Sequence, residues 1–208
     1  MTRRKVVQFD IDGVLCNWHL PFTTKGNELF GTEIQQPWEV REWLPLSNMT
    51  ETQYHEVWRW INQNDYDFWA SCPPLLERSI YNRINYLSAE KVDIYFVTAR
   101  HTPNAKAATE VWLLSQGISM PTVILCEHKA WVAELLKAEY AIEDNAENAS
   151  QIATVGSGAT KSYLIDRKYN RKEVDPAVRR IEVVSEFLDA IEGKVHPSRN
   201  YDMVAPVF

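Results

Sequence analysis

Short apolar runs alternate along most of this chain with longer segments whose apolar residues recur every three or four positions. Nearly continuous apolar runs of this length are typical of strands that are buried on both faces of a parallel sheet. The longer segments have the spacing of amphipathic helices. This alternation predicts an α/β fold with a doubly wound parallel sheet. The predicted strands are residues 6–9, 92–97, 122–125, 140–142 and 162–165.

Helices are predicted between the later strands. Thr102 and Pro103 supply the N-cap and the first residue of one helix, and Gly117 ends it. Two further helices are predicted over residues 129–137 and 175–191, because their apolar side chains fall on one side of a helix.

Residues 15–90 interrupt the alternation. A capping box at Thr50 and Gln53 predicts one helix here, and a second is predicted over residues 75–87. Six of the eight tryptophans lie in this interval. A helical cap inserted after the first strand lies over the carboxyl edge of the sheet, where open α/β folds bind ligands. The predicted division is a core of residues 1–14 and 91–194, a cap of residues 15–90 and a C-terminal tail of residues 195–208.

Composition and charge restrict the class of protein. The 208 residues carry 22 Lys and Arg against 28 Asp and Glu, a net charge of −6, and they contain no basic run. This balance argues against duplex nucleic acid as a partner and leaves a homo-oligomer open. Three scattered cysteines without a C-x-x-C pair indicate free thiols in a reducing compartment. No apolar run approaches the roughly 18 residues of a membrane span, so a cytoplasmic protein without a membrane partner is expected.

The most informative motif follows the first predicted strand, where Asp10 and Asp12 precede Gly13. Residues i and i+2 of an extended chain face the same way, so both carboxylates can reach one ligand. Two like charges so close are unfavourable unless a cation or a proton lies between them. The alternative is structural, with an aspartate that caps a turn and a glycine that supplies the bend.

Three other strand ends carry residues that suit a phosphoryl group. The second strand ends at Thr98, where the hydroxyl and the backbone N–H groups of Ala99 and Arg100 can bind phosphoryl oxygens. Lys129 opens the helix after the third strand, and the acidic pair 143–144 ends the fourth. Each has an ordinary alternative: a turn-forming threonine, a surface lysine or an N-capping aspartate. Because carboxyl ends of parallel strands share one edge of a sheet, all these signals are expected to converge.

In chain order the strand ends give Asp-x-Asp, Thr, Lys and an acidic pair. This order resembles the four motifs of the haloacid dehalogenase-like (HAD) phosphohydrolase superfamily, over roughly residues 5–166. The resemblance implies a Rossmann-like core, a cap inserted after the first strand, Mg²⁺ as cofactor and an aspartyl-phosphate intermediate.

The same resemblance implies a role for each motif residue. Asp10 is expected to be the nucleophile, and Asp12 the general acid and base. Thr98 and Lys129 are expected to bind the phosphoryl oxygens. The expected Mg²⁺ ligands are the Asp10 carboxylate, the Asp12 backbone carbonyl and the Asp144 carboxylate.

Within the superfamily, three stretches are similar to the 5′(3′)-deoxyribonucleotidase branch. Trp18 lies six residues after Asp12, where that branch carries a base-stacking aromatic residue. Phe68-Trp69 precedes two prolines, as the aromatic pair of that branch does, and residues 129–132 are similar to its lysine-containing segment. Two departures are a Glu-Asp pair in place of Asp-Asp in the fourth motif and Thr-Ala-Arg in place of Thr-Ser in the second.

The branch implies a 5′-nucleotidase, whose small phosphorylated partner is a (deoxy)nucleoside monophosphate. Trp18, Phe68 and Trp69 are expected to contact the base, and Ala99 and Arg100 the phosphate. Packing inside the insert is the alternative for each aromatic ring. Other functions stay open: a phosphatase acting on a polynucleotide 3′-end or on a sugar phosphate, and a receiver-like phosphoacceptor signalling domain without turnover.

Overall fold

The computed structural model of the protein describes residues 3–34, 49–172 and 175–194. The strands are β1 (Lys5–Phe9), β2 (Val92–Thr98), β3 (Thr122–Leu125), β4 (Tyr140–Glu143), β5 (Lys161–Ile165) and β6 (Val178–Ile181). Within the described residues these six strands form one parallel sheet in the order β3-β2-β1-β4-β5-β6. The order reverses between β1 and β4, and doubly wound sheets bind ligands at such a point. The predicted fold class is confirmed.

The described ranges also contain eight α-helices and a short 3₁₀ helix, Lys168–Asn170. The α-helices are α1 (His19–Phe30), α2 (Glu51–Gln63), α3 (Asp65–Ala70), α4 (Arg78–Glu90), α5 (Ala105–Ser115), α6 (Lys129–Leu136), α7 (Ala146–Thr154) and α8 (Val184–Glu192). Helix α4 packs against α8, and α6 packs against α7. None of these helices is long and apolar enough to cross a membrane.

The prediction of one helix over residues 175–191 is wrong. Val178–Ile181 forms β6 and pairs with β5, and α8 begins only at Val184. The apolar spacing of three or four continues from strand to helix, since Ile181 and Val184 both face the core. A pattern of this kind cannot reveal the break between the two elements.

The predicted start of α5 is also wrong. The helix begins at Ala105, and the Thr102 hydroxyl accepts a hydrogen bond from Trp69 Nε1 at 2.9 Å instead of capping the helix. The backbone N–H of Asn104 donates to the Asp65 carboxylate at 2.7 Å. A side chain from α3 thus binds Asn104, the residue immediately before α5, and a local sequence signal cannot show this contact.

The interval 15–90 contributes four helices in its described part. The capping box is confirmed, because Gln53 N–H donates to Thr50 Oγ1 at 3.2 Å and Thr50 N–H donates to Gln53 Oε1 at 2.7 Å. Buried apolar side chains of this interval, such as Phe22 and Ile61, share one continuous core with Phe9 of the sheet. The division into core and cap stays a prediction. Part of the predicted cap, including Trp38 and Trp43, and the predicted tail 195–208 lie outside the described residues.

Candidate active site

The carboxyl ends of β1 and β4 bring two acidic segments together. Backbone pairing sets Phe9 level with Ile142, so Asp10 and Glu143 are the next residues on adjacent strands. One carboxylate oxygen from each of Asp10, Glu143 and Asp144 lies within 4.8 Å of the others. The structure therefore places Asp10 and Asp144 side by side at this edge of the sheet.

Lys129, the first residue of α6, points into this acidic group. Its Nζ donates to Asp10 Oδ1 at 2.6 Å and to Glu143 Oε2 at 3.2 Å. Only 5% of the Lys129 side chain is exposed, so the surface-lysine alternative does not apply. Burial lowers the pKa of Lys129, but the charges of Asp10 and Glu143 outweigh this and raise it above its ordinary value. Lys129 is a buried ammonium ion between two carboxyl groups.

One ammonium does not balance three carboxyl groups. Burial and the Asp12 charge raise the pKa of Asp10 against the opposing effect of Lys129. Burial and Asp10 raise the pKa of Glu143 well above its usual range. For Asp144 the same two causes raise the pKa to about 7. Carboxyl groups that crowd each other in this way have a strong electrostatic preference for a nearby cation.

Asp12 lies in a different environment. Its Oδ2 accepts a hydrogen bond from the Thr98 hydroxyl at 3.0 Å, and Arg100 Nη2 donates to its Oδ1 at 2.7 Å. The other terminal nitrogen of Arg100, Nη1, donates to Thr109 Oγ1 at 2.8 Å. Burial raises the pKa of Asp12, but Arg100 more than offsets this and holds it below its ordinary value. Thr98 and Arg100 therefore bind Asp12 in this structure, and Ala99 between them is exposed; their phosphate contacts stay predictions.

The three predicted base-binding aromatic residues differ in exposure. Trp18 is half-buried, and its ring centroid lies 5.8 Å from that of Trp58 on α2. Phe68 and Trp69 are 4% and 3% exposed and pack into the core. The Trp69 ring lies against the Arg100 guanidinium, 4.2 Å from centroid to Cζ. A base could reach Phe68 or Trp69 only after a rearrangement, so their contact with a base stays a prediction.

Sequence reasoning gave no role to two residues that follow β5. Arg167 Nη2 donates to the Gly13 carbonyl at 2.8 Å, and the Tyr169 hydroxyl donates to Asp144 Oδ2. Gly13 itself has a φ of 78°, and a Cβ there would lie 1.9 Å from Asp144 Oδ2. The glycine after Asp-x-Asp was a visible signal for this close approach, whereas nothing near Tyr169 in the sequence indicates its partner.

The acidic group fits a divalent cation such as Mg²⁺. Mg²⁺ prefers oxygen ligands, and the clustered atoms are carboxylate oxygens. Gly13 leaves room for the Asp144 carboxylate beside Asp10, and burial together with a neighbouring carboxylate raises the pKa of both acids, so a nearby cation would favour their ionised forms. Glu143, which was not predicted as a ligand, belongs to the same group but is engaged by Lys129.

Comparison with known families agrees with this geometry. A model of the family described as 5′ nucleotidase, deoxy (pyrimidine), cytosolic type C protein matches residues 4–192. The chain belongs to this family. As a member of this nucleotidase family with the HAD fold, it is a phosphoric monoester hydrolase. No curated protein matches the sequence at a significant level.

Solved structures similar to this nucleotidase-family chain are HAD-like proteins of low sequence identity. A haloacid dehalogenase-like hydrolase from Burkholderia xenovorans is 14% identical, with a TM-score of 0.60 over 94% of this chain and 100% of its own. The HAD hydrolase YfnB from Bacillus subtilis, bound to magnesium, is 13% identical, with a TM-score of 0.58 over 92% and 100%. CbbY from Rhodobacter sphaeroides, in complex with phosphate, is 13% identical, with a TM-score of 0.57 over 89% and 96%. These similarities establish the shared fold.

Proposed function

We propose that this phosphatase is an Mg²⁺-dependent 5′-nucleotidase that acts on (deoxy)nucleoside monophosphates, with Asp10 as its nucleophile. One observation carries the proposal. Asp10 directly follows β1 and lies beside Asp144, and the buried Lys129 ammonium donates to one of its oxygens at 2.6 Å. A carboxylate fixed in this way at the carboxyl edge of the sheet can attack a phosphorus atom that is bound there.

The proposed reaction has two halves. A carboxylate oxygen of Asp10 attacks phosphorus, the ester P–O bond breaks, and the leaving alkoxide takes a proton from Asp12. Water then attacks the phosphorus of the aspartyl-phosphate while Asp12 takes a proton from that water; the P–O bond to Asp10 breaks, and inorganic phosphate and the Asp10 carboxylate are released. Arg100 lowers the pKa of Asp12, which suits the second half. For the first half, the negative charge of an arriving phosphate raises the pKa of Asp12 again.

Positive charge around the phosphate supports both halves. Lys129, the Thr98 hydroxyl and the backbone N–H groups that follow Thr98 stabilise the charge on the equatorial oxygens. The carboxylates of Asp10 and Asp144, with the backbone carbonyl of Asp12, would hold Mg²⁺. When bound, Mg²⁺ supplies the charge that lets a carboxylate approach a phosphate dianion.

The leaving group is proposed to bind along a row of three rings that begins just after the Asp-x-Asp turn. Trp18 follows the Asp-x-Asp turn, and Trp58 of α2 lies between Trp18 and His101. The centroid distances are 5.8 and 6.1 Å, Trp18 and Trp58 are half-buried, and His101 is exposed. Stacking of a base on such rings contributes about 1–3 kcal/mol per base.

The direct test is a phosphate-release assay across nucleoside monophosphates and sugar phosphates, with and without Mg²⁺. We expect release from thymidine or deoxyuridine monophosphate with Mg²⁺, and none from Asp10→Asn. Asp93→Asn is the matched control, because Asp93 is an exposed carboxylate at the start of β2 that pairs with Arg4.

Each other outcome contradicts a different part of the proposal. Full turnover by Asp10→Asn would remove Asp10 as the nucleophile. Equal turnover of sugar phosphates and nucleotides would remove the nucleotide specificity but leave the phosphatase. A phosphorylated Asp10 that accumulates without steady release of phosphate would favour the phosphoacceptor alternative.

A further inference from the structure

The segment after β5, residues 166–171, is bound to both acidic turns of the active site. Arg167 donates to the Gly13 carbonyl from Nε at 3.0 Å and from Nη2 at 2.8 Å. Asn170 Nδ2 donates to the backbone carbonyl of Asp144 at 2.7 Å. Between them, the Tyr169 hydroxyl donates to the Asp144 carboxylate at Oδ2. One short segment therefore holds the backbone of both turns and the side chain of one acid.

The same segment is fixed to the sheet. Asn170 is 1% exposed, and its Nδ2 also donates to the Ile165 carbonyl at the end of β5, at 2.9 Å. Arg180 of β6 donates to the Asn170 side-chain oxygen at 2.7 Å and to its backbone carbonyl at 2.9 Å. Tyr169 precedes Asn170 in a short 3₁₀ helix that these hydrogen bonds fix to β5 and β6, so its hydroxyl has a defined position.

Space around the Asp144 carboxylate is limited on a second side by Gly13. A Cβ at position 13 would lie 1.9 Å from Asp144 Oδ2 and 3.0 Å from the Tyr169 oxygen. The hydroxyl and the carboxylate oxygen therefore fill the space that any other residue at position 13 would need. The Asp144 carboxylate is therefore confined between the Gly13 backbone on one side and the Tyr169 hydroxyl on the other.

We propose that Tyr169 is a positioning residue of the divalent-cation site, whose hydroxyl holds one oxygen of Asp144 and so directs the other toward the cation. This inference rests on the proposed function, because it takes Asp144 as a ligand of that cation. Groups that orient metal ligands are commonly worth about 10–100-fold in metal affinity or activity. Tyr169 would act through Asp144 without touching the cation.

The test is Mn²⁺ binding to Tyr169→Phe, measured by electron paramagnetic resonance of the free ion. Phenylalanine keeps the ring and removes the hydroxyl, and we expect the Mn²⁺ dissociation constant to rise about tenfold or more. The number of Mn²⁺ sites per chain and the Mn²⁺ dissociation constant are fitted independently. Partial unfolding of a variant then lowers the number of sites and leaves the dissociation constant unchanged. The matched control is Tyr163→Phe, a buried tyrosine on β5 whose ring packs against Phe187, and its constant should not change.

A second measurement separates positioning from packing. For Tyr169→Phe, the Mg²⁺ concentration that gives half-maximal phosphate release should rise, whereas kcat at saturating Mg²⁺ should stay near that of the wild type. If the Mn²⁺ dissociation constant of Tyr169→Phe lies within about twofold of the wild-type value, the inference is overturned and the proposed function stays intact. Wild-type protein that binds no Mn²⁺ and releases phosphate without Mg²⁺ would overturn the metal dependence of the proposed function, and the inference with it.

Discussion

Arg100 binds the Asp12 carboxylate through two nitrogens, with Nη2 2.7 Å from Oδ1 and Nε 3.0 Å from Oδ2. The Arg100 side chain is 1% exposed and that of Asp12 is 21% exposed, so the cation is shielded from water while the carboxylate still reaches solvent. Geometry of this kind fixes the carboxylate more firmly than a single contact does. The group proposed to move protons is therefore held in one place by a buried cation.

Substitution of Asp12 is expected to separate the two halves of the reaction. A nucleoside alkoxide needs a proton to leave, whereas 4-nitrophenolate leaves without one. Asp12→Asn should lower turnover of thymidine monophosphate by about 10²–10⁴-fold. With 4-nitrophenyl phosphate, rapid-quench kinetics should still show a burst of 4-nitrophenolate equal to the enzyme, followed by slow turnover. Loss of this burst together with the slow phase would argue against the assigned role.

Removal of the buried ammonium should cost stability as well as activity. Lys129→Met leaves Asp10 and Glu143 buried without their partner, and a broken buried ion pair typically costs about 3–5 kcal/mol. The loss should be larger at high pH, where both carboxyl groups are ionised. Urea unfolding measures it, with the exposed Lys106→Met on α5 as a control expected to change stability by less than about 0.5 kcal/mol. Similar unfolding curves for the two variants would contradict this account.

Two glycine substitutions isolate the contact with Asp144. Gly13 and Gly193 have similar φ values of 78° and 75°, but a Cβ at Gly193 meets nothing within 4 Å. Alanine at either position should destabilise the fold by about 1–2 kcal/mol through backbone strain. Only Gly13→Ala should also lose Mn²⁺ binding and phosphate release, because its methyl group displaces the Asp144 carboxylate. Equal activity of the two variants would refute the role given to Gly13.

Asp65→Ala tests the link between α3 and α5. The substitution removes the acceptor of the Asn104 backbone N–H, and a buried polar group left without its partner costs about 1–3 kcal/mol. Burial raises the pKa of Asp65, but the hydrogen bonds from Asn104 outweigh this and hold it below 3.8. Its contribution should therefore be complete above pH 3.8 and disappear as the pH falls through the lower folded-state pKa. The difference in unfolding free energy between wild type and Asp65→Ala, measured by urea titration from pH 7 to pH 2, should shrink toward acid; a difference independent of pH would be evidence against this link.

Trp18→Leu tests the proposed base site. If a base stacks on this ring, KM for thymidine monophosphate should rise by the equivalent of about 1–3 kcal/mol, while kinetics with a small alkyl phosphate stay unchanged. Trp131→Leu is the control, since Trp131 is a tryptophan on α6 that is 64% exposed. An equal rise of KM for both substrates would assign Trp18 to packing.

Most strands, most helices and the polar residues at strand ends could be predicted, because each has a signal in the local sequence. Asp10 and Lys129 could be placed because polar residues at strand ends stand out against buried apolar runs, and parallel strands bring their ends to one edge. The Arg100–Asp12 pair and the Tyr169–Asp144 contact could not be predicted. Each joins residues that are far apart in the chain, and each depends on side-chain direction that no periodicity contains. The start of α5 was predicted wrongly for the same reason, because Asn104 just before it is bound by Asp65 of another helix.

The uninterrupted core described above limits how this enzyme can open. Phe22 and Ile61 of the interval 15–90 belong to the same buried cluster as Phe9 and Phe96 of the sheet. Exposing the buried apolar surface of Phe22 and Ile61 would cost about 25 cal/mol for each Å². Rotation of the half-buried Trp18 and Trp58 rings exposes less of this core, so substrate entry is expected to use side-chain changes of this kind first.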